Sequence, residues 1–193
     1  MTTLKYYHYP KQYKQLLANA SQHEMRVLHD EGLYRHLRFQ CPGTSIWHWD
    51  IITWPGSLAI RGDIGEGFIF TRDTDMLRFF DSGQPDGWIN TSYWAEKLDR
   101  GSRSVREFSN ERFIEWLRTS EEAEHLSNFD TDFENIYSIE EAIDLLDDNG
   151  ITWDYDSVSS WEDYEYHFIL ALHAILWGAK KYHESHAESE EQA

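Results

Sequence analysis

One cysteine, Cys41, stands in the whole chain, so no intrachain disulfide can form. That excludes the disulfide-stapled secreted scaffolds and fits a reducing compartment. No apolar run reaches the length of a membrane span. The longest, Phe168 to Trp177, covers ten positions and contains His173, whereas a bilayer needs about 20 apolar residues. Met1 to Pro10 carries Lys5 and no apolar stretch, so a secretory signal is not expected. There is no internal repeat and no linker rich in Pro, Gly and Ser. The sequence therefore predicts one globular domain over 1–185, followed by a polar, frayed tail over 186–193.

Basic side chains are missing from a long stretch, with none between Arg118 and Lys180. Residues 1–118 hold 15 Lys and Arg against 15 Asp and Glu, so residues 119–193, with 2 against 20, carry the entire net charge of −18. Such a surface repels nucleic acid and anionic membrane and attracts cations or basic protein surfaces. What is abundant is aromatic: nine Trp, eleven Tyr and ten Phe, 16% of the chain. Disordered chains are poor in such residues, so a packed core rich in large rings is expected.

The pattern along the chain predicts an α+β fold. Pro10 to about His29 reads as a helix, with Pro10 in its first turn and Tyr13, Leu16, Leu17, Ala20, Met25 and Leu28 near helical spacing. The next segments, Leu37–Gln40, Ile46–Thr53, Leu58–Arg61 and Phe68–Thr71, are separated by Gly and Pro turns, which describes an antiparallel meander of about four strands. In the second of them Trp47, Trp49 and Ile51 share one face, with Ile46, His48, Asp50 and Ile52 on the other. Helices return at Thr74–Phe80 behind Asp73, at Ser92–Leu98 behind Asn90, and from Glu111 past Leu117 behind Ser109 or Asn110. Ser138 to Glu141 has capping-box spacing, and that helix stops at Asn149-Gly150. A long central helix closes the chain, its stripe running through Trp161, Tyr164, Phe168, Leu172, Ile175, Ala179 and Tyr182.

Several of these stretches form a recognisable set: Trp54-Pro55-Gly56-Ser57-Leu58 to Gly62-Asp63-Ile64-Gly65, then Asp75-Met76-Leu77-Arg78-Phe79-Phe80, Ile89-Asn90 with Tyr93 to Lys97, and His167-Phe168-Ile169 with Ala174 to Gly178. The chain resembles a family of uncharacterised proteins from tailed phages and prophages over Tyr34–Lys97 and the last helix. The resemblance implies a phage origin and a place in the host-cell cytoplasm. That family has no assigned activity, so no catalytic residue carries over.

Three constellations invite a chemical reading. His23-Glu24 with His29, like His167 with His173, is spaced by six residues and cannot place both rings on one helix face, so zinc is not expected. Asp130, Asp132, Glu134, Ser138 and Glu141 fall at positions 1, 3, 5, 9 and 12 of an EF-hand-like loop. Position 6 is Asn135 rather than Gly, and the capping box already explains Glu141, which leaves a weak calcium candidate. The glycines of Gly62 to Gly67 lack the βαβ context of a phosphate loop and read as hairpin turns. His48, Asp50, Arg61, Asp63 and Arg72 could meet on the sheet as a ligand or acid–base site. No nucleophile motif surrounds Cys41 or any serine.

The acidic third gives the leading expectation. Glu121, Glu122, Glu124, Asp130, Asp132, Glu134, Glu140, Glu141, Asp144, Asp147 and Asp148 would form a negative surface, one that imitates the phosphates of DNA. The protein is then a non-enzymatic accessory protein that binds and inhibits or redirects a host or defence-system protein with a basic surface. No cofactor, no direct nucleic-acid contact and no membrane contact are expected. The alternatives are a small-molecule or nucleotide-binding protein, or a small enzyme, using the polar sheet face, and a structural or assembly role in the virion.

Overall fold

The computed structural model describes residues 9–120, 133 and 135–191. It is an α+β chain with a five-stranded antiparallel sheet and seven α-helices among those residues. The elements are α1 (Pro10–Ala20), β1 (Glu24–Glu31), β2 (Tyr34–Gln40), β3 (Trp49–Trp54), β4 (Ser57–Gly62), β5 (Gly65–Thr71), α2 (Met76–Phe80) and α3 (Thr91–Ala95). They continue with β6 (Arg106–Phe108), α4 (Asn110–Thr119), α5 (Ile139–Asp148), α6 (Tyr155–Ser160), β7 (Glu162–Tyr164) and α7 (Tyr166–Glu191). No helix among them is long and apolar enough to cross a membrane.

The chain divides into two compact units, residues 1–104 with 166–193, and residues 105–165. The second carries 19 of the 35 acidic side chains but three of the 17 basic ones, hence −16 of the −18. The sequence reading drew no boundary inside 1–185.

In the larger unit, β1 to β5 follow chain order as a meander. The extra strand is β1, where the sequence predicted a continuing helix. Met25 and Val27 pair with Phe39 and Leu37, and the register then slips between Val27 and His29, leaving Leu28 as a bulge. Met25 and Leu28, three apart in sequence, suggest a helix, while the bulge breaks the strand's period of two. β3 begins at Trp49 rather than Ile46, because Trp47 has a left-handed φ of 60° and Ile46 is exposed. The glycine run does form a hairpin turn: Gly62 pairs with Gly65 across a two-residue loop. A Cβ on Gly62 would lie 2.4 Å from the His48 carbonyl oxygen, at φ +130°, so glycine is required there.

One face of this sheet, bearing Leu37, Phe39, Trp49, Ile51, Leu58, Ile60, Phe68 and Phe70, is fully buried. The helix α7 crosses it obliquely from β5 to β1. Phe168 meets Phe68 and Phe70, Trp177 meets Phe39 and Trp49 edge-on, and Tyr182 reaches Asp30. Nine of the twelve residues from Phe168 to Ala179 are buried apolar side chains, so this helix has no polar face until Lys180. Each of the large ones stabilises by about 1.5–3 kcal/mol. Gly178 marks the closest approach: a Cβ there would lie 2.7 Å from Ile51 Cδ1 and 2.9 Å from Phe39 Cζ. The helix continues through 186–191, the stretch assigned to a tail from sequence.

The smaller unit packs α4, α5 and α6 around Phe113, Leu117, Phe133, Ala142, Leu146, Ile151 and Trp161, with β6 and β7 paired beside them. Trp161 belongs to this core, stacked edge-on with Phe113 and Trp116, and not to the last helix. The pairing of Glu162–Tyr164 with Arg106–Phe108 holds that segment extended and delays the helix to Tyr166.

Candidate functional sites

Of the acidic set, Glu121, Glu122, Glu124, Asp130, Asp132 and Glu134 lie outside the described residues. The other five sit on α5. Ser138 Oγ accepts from the Glu141 N–H at 3.1 Å, the cap expected from sequence, while Glu141 Oε2 accepts from the Tyr137 N–H at 2.7 Å, one residue before the cap rather than on it. Beyond it the helix is cleanly amphipathic: Ala142 and Leu146 are buried, while Glu140, Glu141, Asp144, Asp147 and Asp148 are exposed. At 100° per residue these carboxylates fall within an arc of about 120°. They occupy about 12 Å of axis, one charge per roughly 3 Å, close to the 3.4 Å of one DNA strand. Three large rings stand out beside them: Tyr137 at 75% exposure, Tyr155 at 70% and Trp153 at 38%. Trp153 Nε1 donates to Asp147 Oδ1 at 2.9 Å, tying one ring to the acidic row.

The five sheet residues do not share one site. Asp50 is buried and held by Arg38, whose Nε and Nη2 donate to its two oxygens at 2.7 and 2.8 Å, with His36 Nε2 at 3.4 Å. Burial pulls this carboxyl upward, but the hydrogen bonds and charge of Arg38, then His36, outweigh it and hold it below the ordinary carboxylate range. Arg61 lies directly opposite Asp50 in the register. His48 and Asp63 form a separate pair: Nδ1 to Oδ2 is 3.3 Å, and the His48 N–H donates to the same oxygen at 3.3 Å. Arg72 follows β5 at the Ser57 end of β4, with its N–H on the Gly56 carbonyl. That is about 15 Å of strand away from Arg61.

What the fold does assemble, and the sequence reading missed, lies where β1, β2 and α2 meet α7. Arg35 is buried, and its Nη1 and Nη2 donate to the two Asp75 oxygens at 2.9 and 3.0 Å. Its Nε donates to Tyr182 Oη at 3.1 Å, which donates in turn to Asp30 at 3.1 Å. His186 Nε2 is 2.9 Å from Asp30 Oδ2, and its Nδ1 is 3.0 Å from the Tyr182 carbonyl. Asp75, not Asp73 as expected from sequence, also caps α2 by accepting from Leu77 N–H. Burial raises the Asp75 carboxyl, but Arg35 and the N–H groups of Arg78 and Leu77 together hold it low; burial pushes the Tyr182 phenol up. Beside this network His183 Nδ1 meets Asp81 Oδ2 at 2.8 Å. The available sequence signal was Tyr182, His183 and His186 within one turn of a helix, at spacings that share a face.

Two cavities open here. One of about 530 Å³ is walled by Phe79, Trp88, Tyr93 and Trp94, and one of about 510 Å³ by Asp81, His183 and His186; Arg78 and Ser82 line both. Among the described residues no group of three or more His, Cys, Asp or Glu could hold a metal ion. Three members of the calcium candidate, Asp130, Asp132 and Glu134, are outside those residues. Comparison with protein-family models, with curated proteins and with solved structures found no match.

Proposed function

We propose that this protein acts by binding another protein through the acidic and aromatic face of α5 and its flanking loops. The observation that carries the reading is the exposure of Tyr137, Trp153 and Tyr155 beside five carboxylates on one helix face. Protein interfaces are anchored by Tyr and Trp and set in register by a charged rim, and isolated solubilising acids need no such rings. The charge density points to a partner whose basic groove otherwise receives nucleic acid. With the phage-family resemblance of the sequence, that partner is a host or defence-system protein, which this one would inhibit or redirect without chemistry of its own.

The test is capture from nuclease-treated host lysate with the wild-type protein and with an Asp144→Lys/Asp147→Lys/Tyr155→Ala variant. A partner held at 50 mM salt, released by rising salt and lost with the variant supports the reading. A partner captured equally by both proteins removes this face from the account.

A further inference from the structure

The two cavities that meet at Arg78 collect polar groups whose own hydrogen-bonding capacity is unspent. Arg78 is 82% exposed, and the nearest carboxylate, Asp75 at 4.0 Å, is already held bidentate by Arg35. His183 Nδ1 meets Asp81, which fixes its ring, and among the described residues Nε2 has no partner. Asn90 stands at the N-cap of α3, yet its side chain caps nothing. Asp73 lines the cavity, is exposed and has no ion-pair partner among the described residues. Four rings and Ser82 complete the larger cavity, with Phe79 tilted on Tyr93 at 5.8 Å and Trp88 edge-on to Trp94 at 6.5 Å. Lys97 Nζ covers one side of Tyr93, 4.2 Å from its centroid.

We propose that these joined cavities bind a nucleoside monophosphate whose base carries an exocyclic amino group. The base lies against Trp88, Phe79 and Tyr93, since every base has a face that stacks on an aromatic side chain. Asp73 and the Asn90 amide oxygen accept from the amino group. The phosphate sits in the second cavity, where Arg78 donates to it, as does Nε2–H of His183 in the imidazolium form that keeps Nδ1–H on Asp81. Each cavity lies within the range of about 300–1,000 Å³ typical of small-molecule sites. The Asp81 carboxylate behind His183 holds that ring in place, which is the support a preformed site needs. This site is independent of α5, so its failure leaves the protein-binding proposal untouched.

The experiment is titration of the full chain at low salt and pH 6.5 with AMP, CMP, GMP, UMP, adenosine and inorganic phosphate. It is read by tryptophan fluorescence, since Trp88 and Trp94 line the cavity, and by calorimetry. One of the three amino-bearing monophosphates is expected to bind at least tenfold tighter than UMP, adenosine or phosphate. Arg78→Gln, at an exposed position that leaves the fold intact by circular dichroism, lowers nucleotide affinity about tenfold and leaves adenosine unchanged. Trp88→Ala weakens nucleotide and adenosine alike. Affinity no tighter than about 1 mM for every monophosphate, phosphate binding as well as nucleotide, or an Arg78→Gln variant with unaltered affinity would each overturn the site.

Discussion

Replacing Asp148 by lysine should stabilise the smaller unit while weakening its binding. Asp148 is the last residue of α5 and is exposed. It lies four residues after Asp144, a like-charge pair that costs about 0.2–0.5 kcal/mol, and it puts a negative charge at the negative end of the helix dipole. In Asp148→Lys the repulsion disappears, and Asp144 gains a base one turn toward the C-terminus, the favourable orientation, for a further 0.2–0.5 kcal/mol or so. Placing a cation at that terminus adds about 0.3–1 kcal/mol. Fraying of the last turn takes some of this back, so a net gain of about 1 kcal/mol is expected. The assay is urea unfolding of the full chain in 20 mM salt, followed by tryptophan fluorescence. With a slope near 1 kcal/mol per molar for so small a unit, the midpoint should rise by roughly 1 M. At 1 M NaCl, where the screening length is about 3 Å, less than half of the gain should survive. Asp148→Asn should give an intermediate value. A midpoint that does not rise at low salt, or rises equally at high salt, would refute the electrostatic argument. If the same variant also loses its partner, the helix carries charge that its own stability opposes.

Two further outcomes follow from packing and charge in the larger unit. Gly178→Ala gains about 1 kcal/mol of helix propensity, but its methyl group meets Phe39, whose ring is pinned between Trp49 and Trp177. Overpacking of about 1–3 kcal/mol should prevail, lowering the thermal midpoint, and an unchanged or higher midpoint would show that α7 can lift off the sheet. Asp50→Asn should cost about 1–2 kcal/mol at pH 7, the lower end of a broken pair because Arg38 is one-third exposed. The sign with pH is set by a folded value held below the unfolded 3.8. The wild-type advantage is full above that value and fades as pH falls through the lower folded one. Acid unfolding curves of the two proteins should therefore converge as pH falls below 3.8, and a difference that stays constant throughout that fall would place the effect elsewhere.

Sequence patterns were informative where one residue's neighbours decide its state. The cap at Ser138 with Glu141, the stop at Asn149-Gly150, the Ser109 cap of α4 and the apolar breadth of the last helix all involve contacts within a few residues. The fifth strand escaped notice because the bulge at Leu28 hides the period of two, and because strand pairing with Leu37 and Phe39 overrides a weak helical spacing. Trp161 was misplaced for a similar reason. Its spacing to Phe168 suits a helix, and only the distant partner strand at Arg106–Phe108 fixes Glu162–Tyr164 as extended. The network at Arg35 was invisible in principle. Asp30 and Arg35 are hairpin partners, but Asp75, Tyr182 and His186 come from elements up to 156 residues away. Of the polar residues expected on the sheet, only Asp50 and Arg61 lie on β3 and β4, while His48, Asp63 and Arg72 fall just outside the strands; only the register shows that Asp50 belongs to Arg38.

The helix that covers the sheet lies far along the chain from the sheet itself, and this sets a clock on biosynthesis. All five strands are complete by Thr71, whereas α7 starts at Tyr166, after 94 intervening residues. At about 5–20 residues per second a ribosome needs roughly 5–20 s to supply them. Through that interval the face bearing Phe39, Trp49, Ile51, Leu58 and Phe70 has emerged without its principal cover, while Val105–Glu165, with a core of its own, can fold first. The nascent chain is then a complete sheet with one face open, followed by a finished, highly anionic unit. That charge repels the same unit on neighbouring nascent chains of a polysome, and so keeps the open sheets apart until α7 arrives.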